Sequence, residues 1–163
     1  MNPRVRSAAL AAVVVLVDRI SKMYIRATVS SFDVFPVIPG FFNIVHTENP
    51  GAAFGMLSDS VSPWRGRLLV SVSLLVMAII GALLWRPMQS TAAESPILRT
   101  GLALVFGGAV GNLWDRVLRG TVTDFLQFYF GSYEFPSFNA ADSAITIGAG
   151  LLLLDLWRTR HHK

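Results

Sequence analysis

One uncharged stretch limits what this chain can fold into. The segment from Leu68 to Trp85 contains no charged residue, and about 20 predominantly apolar residues are what a helix needs to cross the ~30 Å hydrocarbon core of a bilayer. Overall, 53% of the residues are hydrophobic and only 15% are charged, whereas a soluble domain has roughly 25% charged residues. We therefore predict a membrane protein, with residues 1–163 forming a single membrane domain.

The basic residues support this interpretation by their distribution. A formal net charge of +4 could indicate a nucleic-acid partner. In proteins that bind nucleic acids, however, Lys and Arg cluster on one face or in one run. Here they occur in ones and twos between apolar stretches, which is typical of loops that flank membrane spans. We expect no nucleic-acid partner. The absence of cysteine excludes disulfides, thiolate zinc sites and cysteine nucleophiles.

Hydropathy predicts four spans, at about residues 7–26, 67–86, 97–115 and 142–158. The first apolar run follows Arg4 and Arg6, as in a cleavable signal peptide. Against that alternative, Asp18 and Lys22 stand where a cleavage site has small neutral residues. We favour a retained helix, on which these two residues are four apart and form a favourable pair.

The arginines predict the orientation of the four spans. More basic residues fall on the side of the termini, which predicts that both termini are cytoplasmic: Arg4, Arg6, Arg86, Arg99, Arg158, Arg160 and Lys163, against Arg65, Arg67, Arg116 and Arg119. The long connections, residues 27–64 and 116–141, then lie on the outer face. Apolar residues punctuated by Pro36, Pro39 and Gly40 predict short strands in the first of them.

Polar residues within the spans need an explanation, because a charge at the centre of a membrane helix costs roughly 2.5 to 3.5 kcal/mol. Asp18 and Lys22 form one such group. Gly108, Asn112 and Asp115 form another, since they share one helix face. A structural alternative is open for both groups, namely ion pairs near the membrane interface and glycines that allow close helix packing.

The outer connections contain the remaining candidates. Asn49 to Gly55 is a run of mostly small residues, for which a simple turn is the alternative. Asp124 and Asp142 bracket the second connection, and two carboxyl groups that share a proton can activate water. Asn139 could instead cap the last helix, with Asp142 at its third position. His46 and Glu48 suggest half of a metal site, but a catalytic zinc needs three ligands, so we expect no metal.

Taken together, these motifs closely resemble those of lipoprotein signal peptidase (signal peptidase II). The resemblance rests on four motifs in order: Asp18-x-x-Ser21-Lys22, Asn49-x-Gly51-Ala52-Ala53-Phe54, Gly107-Gly108-Ala109-x-Gly111-Asn112-x-x-Asp115-Arg116-x-x-x-Gly120-x-Val122-x-Asp124-Phe125, and Phe138-Asn139-x-Ala141-Asp142. It implies a bacterial inner-membrane aspartic endopeptidase that cleaves prolipoproteins just before the diacylglyceryl-modified cysteine. The fold implied is all-α, with four transmembrane helices, a small extracytoplasmic β-sheet from residues 27–64, and a short outer amphipathic helix between the third and fourth spans.

The resemblance also assigns residues and partners. It implies that Asp124 and Asp142 are the catalytic pair, and that a polar shell surrounds them: Asp18, Lys22, Asn49, Asn112, Asp115, Arg116 and Asn139. We add Gly51 and Gly108 as residues that bind substrate or support the site. Arg19 departs from the family pattern, in which we expect a neutral residue, often Gln. The implied partners are diacylglyceryl-modified prolipoproteins and membrane lipid, with no cofactor, and we expect a monomer.

Two other classes of function would also use some of these residues. A proton- or ion-conducting transporter subunit would use Asp18, Lys22, Asp115, Arg116 and Asp142 as a relay. Such a relay needs ionisable groups at every depth of the membrane, whereas the predicted cytoplasmic halves of the spans lack them. A membrane scaffold would explain the glycines but not the two loop acids.

Overall fold

The computed structural model describes residues 2–51, 63–85 and 95–161. Over these ranges the chain forms four α-helices and one antiparallel sheet of four strands. In chain order the elements are α1 (Pro3–Thr28), β1 (Val34–Ile38), β2 (Phe42–Asn49), α2 (Pro63–Trp85), α3 (Pro96–Arg119), β3 (Val122–Phe130), β4 (Tyr133–Phe138) and α4 (Ala140–His161).

Local sequence signals explain where α1 and α3 begin and where α3 ends. The side chain of Asn2 accepts a hydrogen bond from the Arg4 backbone N–H, and Ser95 does the same for Ile97 at the start of α3. Both caps are followed by proline, whose fixed φ suits the first helical position. The α3 helix ends at Gly120, which has a φ of +78°, a conformation that favours glycine.

Helix α3 lies at the centre of the bundle and packs against the other three helices. In its candidate membrane span 61% of the residues are buried, against 11% for α2 and 17% for α4. The backbones of α3 and α4 approach closely at Gly101 and Gly148, where a Cβ on Gly148 would lie 2.7 Å from the Gly101 carbonyl oxygen. The outer helices therefore expose apolar surface while α3 supplies the protein interior, as expected in a membrane.

Three of the described helices are long and apolar enough to cross a membrane: Arg67–Leu84, Pro96–Arg119 and Ala140–Arg160. The predicted ranges 97–115 and 142–158 lie within α3 and α4, and 67–86 matches α2 except for residue 86, which is outside the described residues. The range 7–26 lies within α1. Because α1 carries several charged residues it is not among the three, so the fourth span stays a prediction.

The sheet draws two strands from each long connection. Its order is β1-β2-β3-β4, so its central pair joins β2, which precedes α2, to β3, which follows α3. The expected origin of the sheet in residues 27–64 alone was therefore incomplete. The expected amphipathic helix between the third and fourth spans was wrong, because the structure has the β3–β4 hairpin there. Residues 122–130 are rich in β-branched and aromatic side chains, which favour strands.

A small apolar cluster attaches the sheet to the bundle. Ile25 and Val29, at the end of α1, pack against Phe125 of β3. All three side chains are buried. This contact fixes Phe125, the residue next to Asp124, against the end of α1. The position of the Asp124 carboxyl group relative to the helices is thereby fixed.

Candidate active site

A cavity of about 520 Å³ opens between the sheet and the ends of the helices. Both acids of the predicted pair, Asp124 and Asp142, line it. Its polar side also includes Asn49, Gly51 and Arg116. The opposite wall is largely apolar and is formed by Leu69, Phe135, Pro136, Phe138 and Ile147. Two carboxyl groups, one from β3 and one from α4, thus face one space that is large enough for part of a peptide.

Asp124 lies on β3 and is 3% exposed. Both of its oxygens accept hydrogen bonds from asparagine amides: Oδ1 from Asn139 Nδ2 at 2.7 Å, and Oδ2 from Asn49 Nδ2 at 3.0 Å. Burial raises the pKa of Asp124 to about 6, and the negative charge of Asp142 also raises it, whereas the two amide donors lower it. This carboxyl group therefore retains a proton to a higher pH than an ordinary aspartate, whose pKa is near 3.9.

Asp142 lies in the first turn of α4 and forms a reciprocal cap with Asn139. The Asn139 side-chain oxygen accepts from the Asp142 backbone N–H at 3.0 Å, and Asp142 Oδ2 accepts from the Asn139 backbone N–H at 3.2 Å. The cap that was the structural alternative for Asp142 is present. In addition, Asp142 Oδ1 accepts from Asn112 Nδ2 at 2.7 Å. Asp142 therefore both caps α4 and lines the cavity.

The three asparagines that contact the two acids are each fixed by a second hydrogen bond. The side-chain oxygen of Asn49 accepts from the Gly51 backbone N–H at 2.8 Å. That of Asn139 accepts from Asp142, as above. That of Asn112 accepts from Lys22 Nζ at 2.9 Å. Because every amide oxygen has its own donor, every amide nitrogen faces a carboxylate oxygen.

A buried charged cluster lies behind Asn112. Lys22 Nζ is 2.9 Å from Asp18 Oδ2 and 3.0 Å from Asp115 Oδ2, and all three side chains are fully buried. Asp115 Oδ1 also contacts Arg19 Nη1 at 2.7 Å and Arg26 Nη1 at 3.7 Å. Asp18 Oδ1 accepts from the Ala141 backbone N–H at 3.0 Å, next to the start of α4. Buried charges need partners of this kind, so the cluster ties α1 to α3 and α4.

Glycines give this cluster its close approach. A Cβ on Gly108 would lie 2.5 Å from the Ala141 carbonyl oxygen, and one on Gly111 would lie 2.5 Å from Asp18 Oδ2.

Gly51 has a φ of +104°, and a Cβ there would collide with Leu69. Of the predicted run from Asn49 to Gly55, residues 52–55 lie outside the described residues.

The structure thus gives every residue of the predicted site a place in one connected region. Gly108 and Gly51 contribute backbone, and the other nine contribute side chains. Arg116 lines the cavity with its charge near Asp142 and Asp124. Sequence reasoning missed the apolar wall from Phe135 to Phe138, since only the unexpected β4 strand brings it to the cavity.

Sequence reasoning also missed a hydrogen-bonded group beside the site. Glu48 accepts from the hydroxyl groups of Thr121 at 2.6 Å and Thr123 at 2.8 Å, and lies 3.1 Å from His46 Nε2. Glu48 therefore clamps β2 to β3 next to Asp124. Among the residues that the structure describes, no group of three or more side chains suited to a metal ion occurs. His46 and Glu48 contact each other, and Glu48 contacts Thr121 and Thr123.

The architecture is similar to that of solved bacterial membrane enzymes, which sets the class of protein. One such structure, at 2.3 Å resolution, has a TM-score of 0.82 and 33% sequence identity, and the match covers 97% of this chain and 91% of that one. A second, at 1.9 Å resolution, has a TM-score of 0.77 and 34% identity over 93% of this chain and 92% of that one.

Sequence comparisons narrow the class to one family. The family described as signal peptidase (SPase) II matches residues 10–158. The lipoprotein signal peptidase of Solibacter usitatus is 45% identical over 93% of this chain and 90% of its own length. The lipoprotein signal peptidase of Maridesulfovibrio salexigens is 38% identical over 98% of this chain and 100% of its own length. The chain belongs to the signal peptidase II family.

Proposed function

We infer that this protein is a membrane aspartic endopeptidase that removes signal peptides from prolipoproteins, cutting just before the diacylglyceryl-modified cysteine. Membership of the signal peptidase II family supports the activity. The observation that carries the site assignment is that Asp124 and Asp142 line one cavity while asparagine amides hold both carboxyl groups. We propose these two acids as the catalytic pair.

The hydrogen bonds suggest different roles for the two acids. Asp142 accepts two N–H donors at the N-terminus of α4, and the Arg116 guanidinium lies near it. Asp124, with a pKa of about 6, is the better holder of the shared proton. We therefore assign Asp142 as the base and Asp124 as the acid.

The reaction then needs only these two groups and one water molecule. Asp142 takes a proton from water as the water oxygen bonds to the scissile carbonyl carbon. Asp124 gives its proton to the amide nitrogen as the C–N bond breaks, so the products are a carboxylic acid and a free amine. Each acid then holds the opposite protonation state, and one proton transfer through solvent restores the pair. No cofactor or metal enters this scheme.

We propose that α1 is the fourth span, that both termini are cytoplasmic and that the cavity faces the outer side of the inner membrane. The excess of basic residues on the side of the termini supports this orientation. So does the fold, since α1 and α3 end, and α4 begins, beside the sheet. Prolipoproteins and membrane lipid are the proposed partners, and we propose a monomer, since described residues of one chain line the cavity.

The depth of the charged groups argues against a transporter. The described polar cluster lies at the sheet end of the bundle, in the second half of α1, at the end of α3 and at the start of α4. Residues 100–114 of α3 and 143–154 of α4 contain no charged side chain. A proton relay therefore has no titratable steps through the middle of the bundle.

The test is cleavage of a lipidated prolipoprotein peptide by the purified protein, with the same peptide lacking the lipid as the control. We expect cleavage of the lipidated peptide only. Asp124→Asn and Asp142→Asn should each abolish cleavage with an unchanged melting temperature, because the amide keeps the shape of the side chain and loses its acid-base function. Substantial activity in either variant removes that residue from the pair.

A further inference from the structure

Lys22 makes three polar contacts in the protein interior, as many as an ammonium group can donate to. It is fully buried, and its Nζ atom contacts Asp18 Oδ2, Asp115 Oδ2 and Asn112 Oδ1 at 2.9, 3.0 and 2.9 Å. An ammonium group has three N–H donors and no acceptor. Two of the three contacts are ion pairs, and the contact with Asn112 is a hydrogen bond. The two carboxylates balance the charge of Lys22, but the contact with a neutral amide is not needed for charge balance.

The contact with Asn112 determines which way that amide points. Lys22 can only donate, so Asn112 must turn its oxygen to Lys22 and its Nδ2 to Asp142 Oδ1, which lies 2.7 Å away. An amide in the opposite orientation would present its oxygen to Asp142. An N–H donor stabilises an ionised carboxylate, whereas a facing oxygen requires the protonated acid.

We propose that Lys22 is a positioning residue that acts through Asn112 to keep Asp142 the ionised member of the pair. This inference rests on the proposed function, since it concerns the base of that reaction. Lys22 does not line the cavity, although its charge also lowers the pKa of Asp124. Its effect reaches Asp142 through one amide group whose two ends are not interchangeable.

Other charged groups near these residues do not replace this effect. Asp142 faces Asp124 from β3 and Arg116 from α3 across the cavity. Lys22 faces Asp18 on its own helix and Asp115 on α3, and Asp115 in turn contacts Arg19 and Arg26. Within the described residues, the direct contact between this cluster and the side chain of Asp142 is made by Asn112.

The test is the pH dependence of kcat/KM for Lys22→Met on the lipidated peptide. Met keeps the length and burial of the side chain and cannot donate, so Asn112 is free to turn over. We expect the acid limb of the profile to move to higher pH by roughly 1 to 2 units, the size of one hydrogen bond to a charged group. Cleavage at a pH below that limb should fall about ten- to hundredfold relative to the wild type.

Two further variants separate orientation from charge. Arg19→Gln removes a cation from the same cluster and leaves the contacts of Asn112 in place, so its acid limb should match the wild type. Asp18→Asn with Lys22→Met restores the charge balance that the single change upsets, and an asparagine at position 18 can still accept from the Ala141 N–H. The double variant should show the same shift as Lys22→Met.

The outcomes distinguish this inference from the proposed function. If the wild type does not cleave the lipidated peptide, both fall. Suppose that the wild type cleaves the peptide but the acid limb does not move in folded Lys22→Met or in the double variant. The proposed role of Lys22 is then refuted, and the proposed function is not. An equal shift in Arg19→Gln also overturns it, because cluster charge is then the cause. If neither Lys22 variant folds, as judged by melting temperature, Lys22 is a structural residue and the inference is withdrawn.

Discussion

Asn139 performs two functions that one pair of substitutions can separate. Its oxygen caps α4 through the Asp142 N–H, and its Nδ2 donates to Asp124 Oδ1. Asn139→Ser keeps a good capping side chain but is too short to reach Asp124. Asn139→Ala loses both contacts. The cap is worth about 1 kcal/mol, so the Ser variant should melt roughly 2 to 4 °C above the Ala variant.

Both variants should have the same effect on catalysis. The Nδ2 donor stabilises ionised Asp124, and a hydrogen bond to a charged group is worth about 1.5 to 3 kcal/mol. Because one pKa unit corresponds to about 1.36 kcal/mol, loss of this donor should raise the pKa of Asp124 from about 6 by roughly 1 to 2 units. Asp124 must be protonated to act as the acid, so the alkaline limb of activity should move to higher pH by that amount.

The assay is kcat/KM for the lipidated peptide from pH 4 to 9, alongside thermal melting in the same detergent. The donor geometry predicts a shifted alkaline limb in both variants and a stability difference between them. An alkaline limb that stays in place in both variants would show that Asn139 does not control the protonation of Asp124. Equal melting temperatures would show that the cap contributes nothing.

The remaining predictions concern packing, the outer loop, pH and metals. Gly108→Ala should lower the melting temperature by the equivalent of about 1 to 3 kcal/mol, because its Cβ meets the Ala141 carbonyl, whereas Gly150→Ala, with nothing within 4 Å, should not; equal effects would contradict this packing. Gly51→Leu should reduce kcat/KM without unfolding the bundle, since its φ is +104°; wild-type rates would remove this residue from the site. The pH profile of wild-type kcat/KM should be bell-shaped with its alkaline limb near pH 6, and the alkaline limb of kcat should lie at higher pH. A plateau at alkaline pH would refute the shared proton. EDTA should leave cleavage unchanged, and inactivation that zinc reverses would overturn the mechanism.

The helices and the cap of α4 could be predicted because their signals are local. The length of an apolar run shows directly whether a helix can cross the membrane. Asn139 stands three residues before Asp142, which is the spacing of a helix cap. The pairing of Asp18 with Lys22 follows in the same way from a spacing of four. These features depend on neighbours in sequence, which is the information that a single sequence contains.

The contacts across the chain could not be derived from spacing. That Asn112 bridges Lys22 and Asp142 depends on three helices meeting, and that Arg19 binds Asp115 depends on a separation of 96 residues. The β3–β4 hairpin was missed for another reason, because β3 and β4 are neighbours in sequence and residues 122–130 have strand propensity, but the family resemblance implied a helix there. The pairing of β3 with β2 could not be derived from spacing, since β2 lies on the other side of two helices.

The pairing of β2 with β3 has a consequence for the order in which the protein matures during synthesis. Asn49 and Asp124 are 75 residues apart, and at about 5 to 20 residues per second a ribosome needs roughly 4 to 15 s to make the chain between them. During that interval α1 already has the Asp18–Lys22 pair within one helix, so its two charges are neutralised before Asp115 arrives. The two sides of the cavity, in contrast, do not meet until α2 and α3 have both been synthesised. The cavity between Asn49 and Asp124 therefore cannot form before β3 has been made.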